Sequence, residues 1–186
     1  MKLCPFTYIN ANLSSDHGIT AAKLVELVSI FAHAQGVTRV DLSGNLVSGS
    51  KYEDDDPYGE IEEYDTDVSG IEALSAIKIK SLIVRNCELG PKAITALSSI
   101  LTTAGLERLD VLGNPMGDSV NLLIDVFLKT EHIRTICGLE EGAVKLNLSN
   151  RSLTPTDIKL LAADLRASRS TADVAEVDIK IGRAHV

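Results

Sequence analysis

The sequence has few aromatic residues and no tryptophan. Three Phe and four Tyr make up 4% of its 186 residues, whereas hydrophobic residues make up 45%. A core with so few rings must be built from Leu, Ile, Val and Ala, which suits thin stacked layers better than one large globular centre. The length provides for one domain with a substantial core.

Long apolar runs are also missing. No stretch is long and apolar enough to span a bilayer, and the first residues lack the apolar region of a secretory signal peptide. The three cysteines, Cys4, Cys87 and Cys137, are odd in number and far apart. They are typical of reduced thiols, so the sequence predicts a cytoplasmic protein with no disulfide framework and no membrane partner.

Negative charge is concentrated in one segment. Residues 51–67 contain one Lys and nine Asp or Glu, a net charge of −8 that equals the net charge of the whole chain. The remainder of the chain is therefore neutral. It has no basic patch that could neutralise phosphates, which argues against a nucleic-acid partner. We predict that residues 51–67 form an acidic, solvated insertion, because such composition buries little apolar surface.

The acidic insertion also partly resembles a calcium-binding EF-hand loop. Asp54, Asp56 and Asp65 occupy positions one, three and twelve of that loop, and Gly59 occupies position six. However, Tyr58 stands at a ligand position, and a strand rather than a helix is predicted before the segment. A calcium-responsive loop is therefore the alternative to a solvated one.

An eleven-residue block recurs along the chain. Residues 37–47, 79–89 and 106–116 each have apolar side chains at the first, fourth, sixth and eleventh positions. The ninth position of these blocks holds a small or polar residue: Asn45, Cys87 and Asn114. Less regular copies start at positions 3, 133, 143 and 174, so the intervals are 34, 42, 27, 27, 10 and 31 residues. Periods of this size predict a repeat architecture.

Helical patterns lie between the blocks. Ile94 and Leu97 fall on one face of a segment that begins at Pro91. Thr154 can cap a further helix, and Asp157 favours the N-terminal end of its dipole. Each unit is thus predicted to contain a short strand, a turn and a returning helix. The ten-residue interval after position 133 has no room for a helix, so a plain loop is expected there.

The blocks resemble the leucine-rich repeat family, in its ribonuclease-inhibitor-like form with a helix in every unit. The resemblance covers nearly the whole chain. It implies an α/β fold, a right-handed curved solenoid of about seven units, with a parallel concave sheet and helices outside. It also implies that ninth-position side chains bond to main-chain groups where each strand turns. The repeat domain would span residues 1–180.

The alternation of side chains along the strands separates core positions from surface positions. Core positions are predicted for eight residues: Val40, Leu42, Leu82, Val84, Leu109, Val111, Leu146 and Leu148. The concave face is predicted to bind a protein partner through eight others: Arg39, Asp41, Ile83, Arg85, Arg108, Asp110, Lys145 and Asn147. The alternative for the charged members is mutual neutralisation across neighbouring strands.

Catalysis has little support in the sequence. The four histidines share no ligand spacing with one another or with the cysteines, and neither a phosphate-binding Gly loop nor a nucleophile elbow is present. The sequence therefore predicts a protein-interaction module that is not an enzyme and needs no metal or cofactor. The alternative is a regulator of a small GTPase, similar to the activator of the nuclear-transport GTPase in the same repeat family.

The last six residues differ from the rest of the chain. Residues 181–186 resemble the translation of a sequencing-library adapter, and the seventh block stops before its ninth position. We therefore expect these residues to be non-native and the chain to be a fragment of a longer repeat protein. His185 is expected to have no role in any site.

Overall fold

Five α-helices and seven short strands follow one another in the parts of the chain that the structure describes. The computed structural model describes residues 18–33, 37–53, 61–103, 105–148 and 152–178. In chain order the elements are α1 (Ala21–His33), β1 (Arg39–Asp41), β2 (Lys51–Tyr52), β3 (Ile61–Glu63), α2 (Ser69–Ala73), β4 (Ser81–Ile83), α3 (Pro91–Thr103), β5 (Arg108–Asp110), α4 (Ser119–Lys129), β6 (Lys145–Asn147), α5 (Pro155–Ala167) and β7 (Glu176–Asp178). No helix within these ranges is long and apolar enough to cross a bilayer.

The strands form three separate sheets, so the predicted continuous solenoid sheet is wrong. β1, β4 and β5 form a three-stranded parallel sheet in that order. β2 and β3 form an antiparallel pair, and β6 and β7 form a second parallel pair. The protein is therefore a mixed α/β structure with short strands in small sheets, and the curved array of about seven like units is not what the chain forms.

The break in the parallel pairing falls in the shortened interval between β5 and β6. Thr135 and Cys137 join β5 only through isolated bridges. A loop with left-handed backbone at Gly138 and Gly142 follows. A parallel strand needs a crossover of about a dozen residues or more, and the ten residues between these block starts are too few. β6 therefore begins a separate sheet.

The three-stranded sheet keeps one register throughout. Val40 pairs with Leu82, and Leu82 pairs with Leu109. These three side chains are at most 1% exposed. Burial is confirmed for all eight predicted core positions, but Leu146 and Leu148 lie at the second parallel pair and not in one common sheet. The local pattern therefore predicted burial correctly, while the long-range pairing was predicted wrongly.

The helices cover this core with apolar faces. α1 buries Leu24, and α4 buries Phe127. α5 begins as predicted, with a reciprocal capping box. Thr154 Oγ1 accepts a hydrogen bond from the Asp157 amide at 3.2 Å, and the Asp157 carboxylate accepts one from the Thr154 amide at 2.8 Å. Two amides that the helix itself cannot satisfy are thereby bonded.

The two ends of the acidic insertion form a short hairpin. Lys51 pairs with Glu63, and Tyr52 pairs with Ile61, across the antiparallel pair of β2 and β3. Glu62 and Glu63 are exposed. The ends of the insertion are thus ordered by main-chain pairing, and the acidic side chains of β3 stay in solvent. Asp65 is buried, so the prediction of a solvated insertion is wrong at this residue.

Several predicted features lie outside the described residues. These are the first block at residues 3–13, residues 54–60 of the acidic insertion, and the last six residues, 181–186. Residues 54–60 include Asp54, Asp56 and Gly59, three of the EF-hand-like positions.

Candidate functional site

A groove of about 630 Å³ opens on the exposed face of the three-stranded sheet. Its floor is formed by β1, β4 and β5, and its far wall is formed by residues between 138 and 148. We call it the strand groove. It is lined by all eight residues that the sequence singled out for binding: Arg39, Asp41, Ile83, Arg85, Arg108, Asp110, Lys145 and Asn147. The fold thus brings these side chains together across the break between the two parallel sheets.

Strand alternation is what places charged side chains in the strand groove. Within β1 the Val40 side chain is fully buried, whereas Arg39 is exposed and Asp41 is half-buried. β5 repeats this arrangement, with Leu109 inside and Arg108 facing the groove. Because successive side chains of a strand point to opposite faces, one pattern specifies both the core and the groove.

An ion pair between neighbouring strands lies in the strand groove. Arg85 Nε donates a hydrogen bond to Asp110 Oδ2 at 2.6 Å, and the two side chains are 28% and 8% exposed. Asp110 Oδ1 also accepts a hydrogen bond from the Leu112 amide at 3.4 Å. Neutralisation across strands therefore occurs here, because Asp110 of β5 pairs with Arg85, which follows β4.

Gly138 allows the far wall to approach this ion pair. Its φ is +65°, a conformation that residues with a Cβ atom rarely adopt. A Cβ atom at this position would lie 2.3 Å from Asp110 Oδ2. Any side chain at position 138 would therefore require the Asp110 carboxylate to move.

Arg108 ties β5 to the far wall. Its Nη2 donates a hydrogen bond to the Leu139 carbonyl oxygen at 2.6 Å. Its Nη1 lies 3.9 Å from Glu141 Oε1, which is also 2.7 Å from Arg134 Nε. Side-chain contacts of Arg108 thus join the floor of the groove to its far wall, at the point where regular strand pairing stops.

Arg39 contributes a guanidinium that makes no hydrogen bond or ion pair with the described residues. Its strand neighbour Asp41 is engaged, since Asp41 Oδ1 accepts hydrogen bonds from the Ser43 amide at 3.1 Å and the Ser43 hydroxyl at 2.7 Å. Arg85 bonds to described residues through Nε alone, so its two Nη groups remain as donors. The guanidinium groups of Arg39 and Arg85 therefore have hydrogen-bond donors that no described residue accepts.

The far wall contributes Lys145 and Asn147 from β6. Lys145 Nζ lies 2.7 Å from Glu176 Oε1 on β7, and both side chains are more than half exposed. Asn147 is exposed at the next groove-facing position of the strand. Because exposed ion pairs contribute little to stability, Lys145 adds charge to this wall without fixing its shape.

A buried asparagine holds neighbouring units together, as the ninth position predicted. Asn114 Oδ1 accepts hydrogen bonds from the amides of Cys87 and Leu89 at 2.9 and 3.1 Å. Asn114 Nδ2 donates to the carbonyl oxygens of Val84 and Val111, both at 2.7 Å. One side chain thereby satisfies four main-chain groups that leave the sheet where the strands turn.

Cys87 takes the same position in the block before. Its Sγ donates to the Leu42 carbonyl oxygen at 3.1 Å, and Asn45 Nδ2 donates to the same oxygen at 3.0 Å. Burial raises the pKa of Cys87 to about 12, and burial also raises the pKa of Cys137 well above its ordinary value. Both thiols are therefore neutral at physiological pH and are poor nucleophiles.

Asp65, the last position of the EF-hand-like pattern, is a helix cap. Its side chain is buried, and its Oδ2 accepts hydrogen bonds from the amides of Lys92 and Ala93 at 2.9 and 3.0 Å. Its Oδ1 accepts one from the Gly90 amide at 3.0 Å. These amides lie at the start of α3, where a helix cannot satisfy its own donors. The carboxylate that would close a calcium loop is thus engaged in holding α3.

A second buried aspartate supports the far wall. Asp164 of α5 is fully buried, and its Oδ2 accepts hydrogen bonds from the Thr135 hydroxyl at 2.6 Å and from the amides of Ile136 and Cys137 at 2.9 and 3.0 Å. Its Oδ1 has no hydrogen-bond partner among the described residues. Burial raises the pKa of this carboxyl group, although its hydrogen bonds act in the opposite direction. Asp164 therefore accepts hydrogen bonds from main-chain amides in the turn at residues 135–137, as Asn114 does in the turn that contains Cys87.

Arg169, just after α5, closes the end of α4. Its Nη1 donates to the carbonyl oxygens of Phe127, Thr130 and Ile133 at 2.8 to 2.9 Å, and its Nη2 donates to that of Leu128 at 3.0 Å. The guanidinium carbon also lies 4.8 Å from the centre of the Phe127 ring. A positive group at the C-terminal end of a helix satisfies its last carbonyls and opposes its dipole.

These three supporting residues were missed at the level of sequence. Asp65 was hidden among eight other acids of the insertion. Asp164 did carry a signal, because an acid three residues after Leu161 lies on the buried side of α5, where a charge needs partners. Arg169 gave no periodic signal at all.

The strand groove is lined by charged, polar and apolar side chains. Within the described ranges, no group of three or more His, Cys, Asp and Glu could hold a metal ion. No protein-family model and no curated protein matches this chain.

Proposed function

We propose that the protein is a recognition module without catalytic activity of its own and that it binds a protein partner in the strand groove. The observation that carries this proposal is the convergence of side chains from two sheets on one open groove that core packing does not use. Small-molecule sites are usually more enclosed and more apolar than this one. The resemblance of the individual blocks to leucine-rich repeats supports the same use, although it does not extend to the whole sheet.

The groove is also preorganised, which favours specific binding. Asp41 is held by Ser43, Asp110 is held by Arg85, and Arg108 bonds to the far wall. Side chains that are already fixed lose less conformational entropy when a partner binds. Such a surface discriminates between partners mainly through the placement of its charges.

We also propose a cytoplasmic location. Cys87 and Cys137 are buried free thiols. Unpaired cysteines are usual in reducing compartments, where disulfides rarely persist.

A photo-crosslinking experiment tests the proposed function. The photoreactive residue p-benzoylphenylalanine is placed at Ile83, on the floor of the strand groove, and in a control variant at Thr95, on the exposed face of α3. After irradiation in cells, we expect a discrete crosslinked protein from position 83 and none from position 95. The proposal fails if position 83 gives no protein adduct or if both positions give the same ones.

A further inference from the structure

Two arginines on the sheet side of the strand groove have hydrogen-bond donors that no described residue accepts. Arg39 has no partner among the described residues, and the two Nη groups of Arg85 donate to none of them. Two carboxylates on the sheet side are already engaged, because Asp41 accepts from Ser43 and Asp110 accepts from Arg85, whereas the exposed Glu140 lies on the far wall. A ligand that complements these arginines must therefore supply acceptors with negative charge.

We propose, building on the recognition function above, that the occupant is an extended acidic segment of a partner protein. Its carboxylates are bound by Arg39 and Arg108, with Arg85 between them. Arg108 bonds to the Leu139 carbonyl oxygen through Nη2, and its Nε and Nη1 make no hydrogen bond with the described residues. The planar guanidinium group presents paired N–H donors that match the two oxygens of a carboxylate, and such charge-assisted bonds are stronger than neutral ones. The charge complementarity between these arginines and an acidic segment carries the proposal.

The register of the sheet sets the spacing of the acids. Arg39 and Arg108 both pair with Ser81, so a single strand lies between them. Neighbouring strands are about 4.8 Å apart, which places the two Cα atoms roughly 10 Å from each other. In a polyproline II segment, side chains three residues apart lie on the same side and roughly 9 Å apart. An extended segment that crosses the strands with acids at positions i and i+3 therefore fits both arginines.

The acidic side chains of the groove select a peptide over a nucleic acid. Asp41, Asp110 and Glu140 also line the strand groove. A nucleic-acid strand carries a charge on every phosphate and would bring several of them against these carboxylates. A peptide can present uncharged residues at those points, so repulsion excludes the polyanion and tolerates the spaced acids.

Fluorescence anisotropy with defined peptides tests this inference on the full chain. The probe is a labelled Gly-Pro-Glu-Pro-Pro-Glu-Pro-Gly peptide, in which proline favours the polyproline II conformation. One control peptide has Gln in place of both Glu residues, and a second has the order Gly-Pro-Glu-Pro-Glu-Pro-Pro-Gly. We expect saturable binding of the probe, weaker binding of the second control, and no binding of the Gln peptide at about 1 mM.

A matched pair of variants locates the site. Arg39→Gln removes a guanidinium that bonds to no described residue, so the fold should be unaffected, and the probe should bind roughly tenfold more weakly or worse. Arg166→Gln, on the exposed face of α5, should leave the affinity unchanged. Circular dichroism confirms that both variants are folded.

Several outcomes would overturn the inference. These are equal binding of the Glu and Gln peptides, an unchanged affinity in Arg39→Gln, no binding of the probe at about 1 mM, or competition by a single-stranded oligonucleotide of equal charge. If any one of these results is obtained while crosslinking at position 83 still captures a protein, the proposal of an acidic segment is wrong and the recognition function stands. If both experiments fail, the recognition function fails as well.

Discussion

The two parallel sheets satisfy the same main-chain requirement in different ways. Beside the first sheet, the turn that contains Cys87 is held by Asn114, which occupies a fixed position in the next block. Before the second sheet, the turn at residues 135–137 is held by Asp164, which comes from α5. Buried main-chain amides need a partner in both places. A side chain within the repeated block provides it in one case, and a distant helix provides it in the other.

The difference between an amide and a carboxylate has an energetic consequence. The Asn114 side chain both donates and accepts, and both of its polar atoms are bonded. A carboxylate can only accept, and Asp164 Oδ1 is buried without a hydrogen-bond partner among the described residues. The first region is thus held by neutral, satisfied bonds, whereas the second depends on a buried acid whose protonation changes with pH.

The largest expected effect concerns the core of the first sheet. Leu109→Ala should lower the free energy of unfolding by about 2–5 kcal/mol, because the side chain is buried in the middle of packed layers. Val177→Ala in β7 should cost less than about 1 kcal/mol, since this side chain is 38% exposed. Urea denaturation measures both values. Equal losses would show that the two sheets share the core equally.

The next effect concerns the asparagine. Asn114→Ala should cost about 3 kcal/mol, because four buried main-chain groups lose their partner. Asn121→Ala, at an exposed position of α4, should change stability by less than about 0.5 kcal/mol. Hydrogen exchange should also become faster at the amides of Cys87 and Leu89 in the first variant. Unchanged protection of these amides would contradict the role given to Asn114.

A smaller effect is expected at the cap of α3. Asp65→Ala should cost about 1–2 kcal/mol, because the first amides of the helix lose their acceptor. Glu62→Ala, at an exposed position of the same insertion, is the control and should have almost no effect. Amide exchange at Lys92 and Ala93 reports the loss directly. If both variants are equally stable, Asp65 does not hold the helix.

The smallest effect at neutral pH is expected for Asp164→Asn. The variant removes a buried charge but adds amide hydrogens without an acceptor, so the net change at pH 7 should be within about 1 kcal/mol. The informative measurement is the dependence of this change on pH.

Burial raises the pKa of Asp164 in the folded protein, so the folded state binds this proton more tightly than the unfolded chain does. The resulting stabilisation is fully present below the unfolded pKa of about 3.9 and is lost as the pH rises through the folded pKa. The wild type should therefore gain stability relative to Asp164→Asn as the pH is lowered from about 7 toward about 4. A difference that stays constant or reverses over this range would exclude a raised pKa.

Features that depend on residues within one block could be predicted from the sequence. The pairing of Leu82 with Leu109 follows from two blocks of equal spacing, and the bonding role of Asn114 follows from its position after the strand. Which side chains face the groove could be predicted from the alternation of side chains along each strand alone. These features depend on short-range geometry that the backbone repeats in each unit.

Features that join distant segments could not be predicted in this way. The ten-residue interval was visible and a loop was expected there, but the resemblance was applied to the whole chain, and the resulting break in the sheet was missed. Asp65 reaches amides 25 to 28 residues away, and the partners of Asp164 are equally remote in sequence. No periodic pattern connects such residues, because each contact is specific to one pair of segments.

In the candidate site, too, the sequence predicted the local features and missed the contacts between distant residues. Alternation identified the eight groove residues but not which charges are already neutralised. That Arg85 pairs with Asp110, and that Arg39 makes no such bond with the described residues, depends on side-chain conformations and on the position of Gly138.

The contact of Arg169 with the end of α4 bears on the order in which the protein folds during synthesis. The carbonyl oxygens that it binds precede it by 36 to 42 residues. At the usual rates of translation, α4 is complete several seconds, about 2–8 s, before Arg169 has even been added to the chain. During that time the last turn of α4 has no such closure, and Phe127 lacks the cation above its ring. α4 is therefore synthesised before the residue that bonds to its last carbonyl oxygens. Arg169, which lies between α5 and β7, completes the C-terminal end of this helix later.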